Sequence, residues 1–194
     1  DPGPEDLLIR VKYCGICGTD LHIHADEFPN DPPVIMGHEY CGTVVQVGTD
    51  VRGDWQVGER VVGELHTGAC GTCALCLAGK PHICDHKLAL GSRHDGAFAE
   101  YLTLPAWLAH RVPDGVPWEV AGVTEPFAIS THCMVERMPG LRDPSLDGGQ
   151  SILITGAATM GLMATIWAGR LGAQDIVVAG MDLDVPVRFP LAQQ

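Results

Sequence analysis

Residues 7–13 alternate. Leu7, Ile9, Val11 and Tyr13 fall on one side of an extended chain, and Leu8, Arg10 and Lys12 on the other. This period-two pattern predicts a β-strand with one buried face. Short β-like runs follow at 42–47, 60–63, 99–104 and 110–112, punctuated by Gly, Pro and Asp. Many short strands separated by turn signals predict a compact, barrel-like β domain. The stretch 65–91 interrupts them and reads as an excursion from that domain.

The pattern changes near Pro117. Helical spacing begins at Trp118 and runs to about Met138, and the polar, turn-rich stretch 143–149 reads as a linker. Residues 151–155 then form an apolar run typical of a strand buried on both faces. A glycine turn at 156–161, a helical stretch to about Gly172 and a second apolar strand at 176–179 complete one βαβ unit. The expected division is a β domain over 1–132 and part of a dinucleotide-binding α/β domain over 133–194. Helical spacing is still running at Gln193 and Gln194, and the chain opens at Asp1 rather than at Met, so we expect a piece of a longer protein.

The excursion changes the picture most. Cys70, Cys73, Cys76 and, after seven further residues, Cys84 can converge on one tetrahedral Zn²⁺. Four sulfurs leave no coordination position open, so that metal would be structural. Cys17, His38 and Glu39 have the other character: mixed donors, far apart in sequence, of the kind a catalytic zinc uses. Eight cysteines could also suggest disulfides, but the CxxCxxC run favours a metal and a reducing, cytoplasmic compartment.

Composition is ordinary for a globular chain of 194 residues, 46% hydrophobic and 19% charged. A formal net charge of -12 argues against nucleic acid and anionic membrane surfaces as partners. No apolar run approaches the ~20 residues of a membrane span, and no secretory signal pattern opens the chain.

The turn Gly156-Ala157-Ala158-Thr159-Met160-Gly161 is a degraded GxGxxG in the strand-to-helix position that dinucleotide binding requires. Ala158 replaces the middle glycine, and its methyl would crowd a pyrophosphate. The acid that should hold the ribose about 20 residues on falls at Gly180, with Asp182 two residues later and Arg188 the nearest base. The cofactor could be NAD or NADP; Asp182 tilts the choice to NAD.

Together these residues carry a resemblance. The run 37–48, GHEYCGTVVQVG, resembles the GHExxGxVxxVG signature of zinc-containing medium-chain alcohol dehydrogenases, and 15–22, GICGTDLH, resembles their first zinc-ligand segment. The four-cysteine lobe, Glu125-Pro126 and the βαβ unit follow in the family's order, closest to the polyol (sorbitol) and threonine dehydrogenase branch. The resemblance implies a GroES-like β-barrel catalytic domain with a zinc lobe, followed by the first part of a Rossmann domain. It implies hydride transfer between a secondary alcohol (a polyol, sugar alcohol or amino alcohol) and NAD(P), with one catalytic and one structural zinc. Cys17 and His38 would hold the catalytic metal, with Glu39 a ligand or its immediate neighbour and Glu125 completing the shell directly or through water. Thr19 and His22 match a proton relay, with His24 a neighbouring imidazole, and Asp20 matches a carboxylate that orients His38. The cofactor would lie at Gly156, Ala158, Met160, Gly161 and Asp182.

The competing reading is a non-catalytic zinc-stabilised module derived from such an enzyme. The joint presence of Cys17, Thr19, His22, His38, Glu39 and Glu125 favours the enzyme. A metal-free quinone reductase relative would need neither cysteine cluster. Family members are longer and have a second half to the nucleotide-binding sheet, and the parent is expected to be a homo-oligomer. Cys14, Cys41 and Cys133 read as small core residues. No spacing argument assigns His66, His82, His86, His94 or His132, and Phe28 and Trp107 are candidate pocket aromatics.

Overall fold

The strand foreseen at residues 7–13 is β1 (Asp6–Gly15), the second strand of the main sheet. In the computed structural model, which describes residues 1–136 and 150–193, it pairs antiparallel with β2 (Glu39–Val47), which pairs with β3 (Arg60–Gly63). The two-residue strands β4 (His66–Thr67) and β5 (Leu88–Ala89) pair with each other and close the base of the cysteine excursion. β6 (Tyr101–Pro105) and β7 (Ala109–Arg111) form the two edges of the main sheet, whose order is β6-β1-β2-β3-β7.

Those edges are consecutive in the chain, joined by the single 3₁₀ turn Ala106–Leu108. Laid flat, five strands would hold their edges about 19 Å apart. A turn of that length spans only about 8 Å. The sheet therefore rolls, which is the barrel-like shape that the turn pattern predicts. Leu7, Ile9, Tyr40, Val44, Val61, Leu102, Leu104 and Leu108 fill its interior, with Leu7, Ile9, Val44, Val61 and Leu104 fully buried. Each such aliphatic side chain contributes about 1.5–3 kcal/mol.

β1 departs from simple alternation. Its register with β2 slips between Leu8 and Ile9 and again between Val11 and Tyr13. The second slip turns Tyr13 out of the buried set, where its hydroxyl donates to Glu119. It also brings Cys14 and Gly15 opposite Tyr40 and Glu39. A bulge that re-aims residues beside a site is a recurring use of this irregularity.

Helix α1 (Gly18–His24) follows β1, and α2 (Ala74–Leu77) lies within the cysteine lobe. The expected single helix from Trp118 is instead α3 (Trp118–Ala121), a break at Gly122 and Val123, α4 (Thr124–Thr131), and a π-type turn over His132–Glu136. Pro126 explains the break: proline has no N–H and is tolerated only in a first turn, so a helix containing it must restart just before it. Met138 and the linker expected at 143–149 lie outside the described residues.

The chain forms two units, Asp1–Glu125 and Pro126–Gln194. In the second, β8 (Ser151–Thr155), α5 (Thr159–Arg170) and β9 (Asp175–Ala179) make the foreseen βαβ unit, with the strands parallel and in register. Ile152, Ile154, Ile176 and Val178 pack with Ala164, Trp167 and Ala168 of α5. Trp167 also stacks on Phe127 at 5.4 Å and donates to the Thr131 hydroxyl. Leu153 and Val177 point the other way and are exposed, so among the described residues the two strands are covered on one face only. After β9 come a 3₁₀ turn, Asp182–Asp184, and α6 (Arg188–Ala192). No helix of the described residues is long and apolar enough to cross a membrane.

Candidate active site

Cys17 caps the N-terminus of α1, and Glu39 opens β2 with His38 just before it, outside the regular pleat. The start of α1 and the start of β2 meet. One donor atom from each of Cys17, His38 and Glu39 lies within 4.8 Å of the other two. His38 and Glu39 are almost completely buried. Gly15, opposite Glu39 on β1, has no side chain because there is no room for one: a Cβ there would lie 2.5 Å from Glu39 Oε2.

Asp20, 2% exposed, organises the cluster from behind. Its Oδ2 accepts the Cys17 amide at 2.8 Å, and its Oδ1 accepts the Gly37 amide at 3.3 Å and stands 3.6 Å from His38 Nδ1. A carboxylate on Nδ1 fixes the imidazole and leaves Nε2 for a metal. Burial pushes the Cys17 thiol up, against the pull of the Thr19 amide and hydroxyl. Glu125, half-buried at the end of the first unit, is outside the 4.8 Å set, yet burial and then the charge of Glu39 push it up to about 7. Thiol, imidazole and carboxylate converging with a second carboxylate nearby, and no Lys or Arg among them, suit a divalent cation of borderline softness such as zinc.

In the lobe, Cys70, Cys73, Cys76 and Cys84 converge likewise, with Cys70 to Cys84 at 3.6 Å, Cys73 to Cys84 at 3.8 Å and Cys70 to Cys76 at 3.9 Å. A tetrahedron with Zn–S bonds of about 2.3 Å has edges of about 3.8 Å, so the lobe is shaped for the ion. The amides of Cys73, Cys76 and His86 donate to Cys70, Cys73 and Cys84. Hydrogen bonds from Thr72 hold Cys70 down to about 5, whereas burial pushes Cys76 up to about 12.

Thr19, Asp20 and His22 all lie on α1. Thr19 and His22 are three residues apart, so they share a face. His22 Nδ1 is 2.8 Å from Glu27 Oε2. Sequence reasoning passed over Glu27 because nothing in a periodic pattern shows the chain folding back after α1. The available signal was Asp26: it adopts a φ of 58°, and Asp tolerates the left-handed region better than most residues.

His66, on β4, is pushed down to about 4 by burial and then by the charge of Lys87. Cys41 is core, whereas Cys14 is half-buried and pushed up to about 12 by burial. Cys133 is exposed and so is not the core residue expected. Phe28 lines a groove of about 480 Å³ with Ile83, Asp85, Lys87, Ser92 and Arg93, and Trp107 lines a separate one with Glu5, Asp50 and Arg52.

In the second unit, Gly156 has a φ of 101°, and a Cβ on Gly161 would collide with the Gly156 carbonyl. Ala158 caps α5 and is exposed, as is Met160. Asp182 is exposed; the buried carboxylate is Asp184, which accepts the Met181 amide and pairs with Arg188 at 2.6 Å.

Residues 3–114 match the family model for the alcohol dehydrogenase GroES-like domain. The chain is 42% identical over 186 residues to an L-threonine 3-dehydrogenase of Deinococcus deserti, covering 93% of this chain and 51% of that protein. The Aeromonas hydrophila enzyme of the same name is 40% identical, with coverage of 93% and 52%. A zinc-binding dehydrogenase of Sinorhizobium meliloti, solved bound to NADP, superposes with a TM-score of 0.87 at 35% identity, over all of this chain and 53% of that one. Galactitol-1-phosphate dehydrogenase of Escherichia coli gives 0.78 at 28% identity, over 92% and 49%. The chain spans about half the length of the curated relatives it matches.

Proposed function

Because this chain belongs to the alcohol dehydrogenase family that carries the GroES-like domain, we propose that it supplies the catalytic half of a zinc-dependent, NAD(P)-linked dehydrogenase of secondary alcohols. The observation that carries the reading is the convergence of Cys17, His38 and Glu39 in front of the buried Asp20. In this reading those three residues hold a zinc ion, with Glu125 beside it. Cys70, Cys73, Cys76 and Cys84 hold a second, structural one. The catalytic zinc, when bound, supplies Lewis acidity toward the alcohol.

The chain's own residues do the rest. Asp20 keeps His38 in one orientation and ties α1 to β2. Thr19 and His22 carry the alcohol proton outward along one face of α1. The turn at 156–161 receives the dinucleotide, consistent with the NADP in the S. meliloti neighbour and the NADH in another neighbour from E. coli at 30% identity. NAD is our assignment, since the exposed Asp182 would repel a ribose phosphate, whereas the charge of Asp184 is taken up by Arg188. The domain division 1–132 and 133–194 separates these two tasks.

The relatives named L-threonine 3-dehydrogenase, at 40–42% identity, favour an amino alcohol such as L-threonine over a simple alcohol. Cysteines that hold metal rather than pair as disulfides suit a reducing compartment such as the cytoplasm. The test is hydride transfer, followed as NAD(P)H absorbance with L-threonine and with polyols, in the chain completed to the length of its relatives. Turnover that vanishes in Cys17→Ser with the fold intact supports the reading. Turnover that survives in that variant removes it.

A further inference from the structure

After α1 the chain reverses. Ala25 N–H donates to the Leu21 carbonyl, Asp26 N–H to Ile23, and Glu27 N–H to His22 at 2.8 Å, with Asp26 in the left-handed region. The Glu27 carboxylate lands 2.8 Å from Nδ1 of the same histidine. Glu27 is thus joined to His22 twice, by main chain and by side chain, with both side chains 62% exposed.

We propose that Glu27 is a positioning residue that fixes the tautomer of His22, so that Nε2 is the nitrogen that accepts the alcohol's proton; this rests on the relay reading above. A carboxylate only accepts, so the ring nitrogen that faces it carries the hydrogen. Nδ1–H bonded to Glu27 leaves Nε2 with a free lone pair. The proton balance follows. In the relay reading, the alcohol O–H proton leaves by way of the Thr19 hydroxyl and reaches His22 Nε2 directly or through an intervening hydroxyl or water, each group passing on one proton as it takes one up. The doubly protonated ring then releases a proton to water. The other tautomer, with hydrogen on Nε2, would present a donor where an acceptor is needed. The same geometry singles out His22 over His24: residues two apart on a helix face different ways, and no side chain among the described residues bonds the His24 ring.

The test is the long-range ¹H–¹⁵N spectrum of the zinc-loaded, ¹⁵N-labelled chain at pH 8, where ordinary imidazoles are neutral, with His22 assigned by its loss in His22→Asn. The expected pattern is a protonated Nδ1 and an unprotonated Nε2. Glu27→Ala should shift it toward Nε2–H, and Glu27→Gln, whose carboxamide oxygen accepts the same bond, should keep it. An Nε2–H ring in the parent chain, or no change in Glu27→Ala, overturns the proposal whatever the relay does.

The second readout is turnover in the chain completed to its relatives' length. Glu27→Ala should lower kcat about tenfold with the alcohol KM unchanged, the low end of what acid–base groups contribute. If His22→Asn lowers kcat and Glu27→Ala does not, the positioning role fails. If neither does, the relay reading fails and takes the proposal with it.

Discussion

Asp20 Oδ1 stands 3.6 Å from His38 Nδ1. Its other oxygen holds the amide of Cys17, so one buried carboxylate links two of the three residues proposed to hold the catalytic metal. Removing a partner behind a metal ligand typically weakens metal binding by about 10–100-fold. Asp20→Ala should therefore lower zinc affinity at this cluster by that factor, measured by chelator competition, while the lobe keeps its ion. Leaving the Cys17 and Gly37 amides unpaired should also cost about 1–3 kcal/mol in urea unfolding.

Gly15→Ala should act on the same cluster from the front. The new methyl would press on Glu39, which is buried and cannot swing freely into water. Overpacking of this kind costs about 1–3 kcal/mol. Zinc analysis should show loss of one ion, with the lobe unaffected.

Cys73→Ser should do the opposite. Three sulfurs and a hydroxyl hold zinc poorly, and folding of a metal-dependent lobe is coupled to binding. Thermal unfolding should show a loss of at least about 3 kcal/mol, and chelation of the parent chain should reproduce it. Cys17→Ser should leave the melting curve nearly unchanged.

His66 predicts a pH dependence. Its folded pKa, about 4, lies below the ordinary 6.5. Between those values the unfolded chain binds a proton that the folded chain refuses. Stability from this group is present above about pH 6.5 and is lost as pH falls toward 4. His66→Gln should flatten that part of the stability–pH curve; an unaltered slope would show that other groups dominate acid unfolding.

Much of the frame was legible in the sequence because it rests on local periodicity. β1 begins where alternation begins, and Ser151–Thr155 and its glycine turn lie where an apolar run and a GxxxxG spacing put them. The four lobe cysteines were legible because their spacing is itself the geometry. What escaped depends on events that periodicity does not encode. The bulge between Val11 and Tyr13 moves Tyr13 to the surface and aims Gly15 at Glu39. Pro126 splits a helix whose polar pattern looks continuous. A single left-handed residue, Asp26, folds Glu27 back onto His22. Each is a local backbone choice with a non-local result.

The proposed chemistry requires two separate zinc sites in this chain, one in the lobe and one at Cys17, His38 and Glu39. Elemental analysis of the purified chain tests it most directly. Two zinc ions per chain are expected, one lost in Cys17→Ser and the other lost only in Cys73→Ser. One zinc per chain, retained in Cys17→Ser and lost in Cys73→Ser, would contradict it.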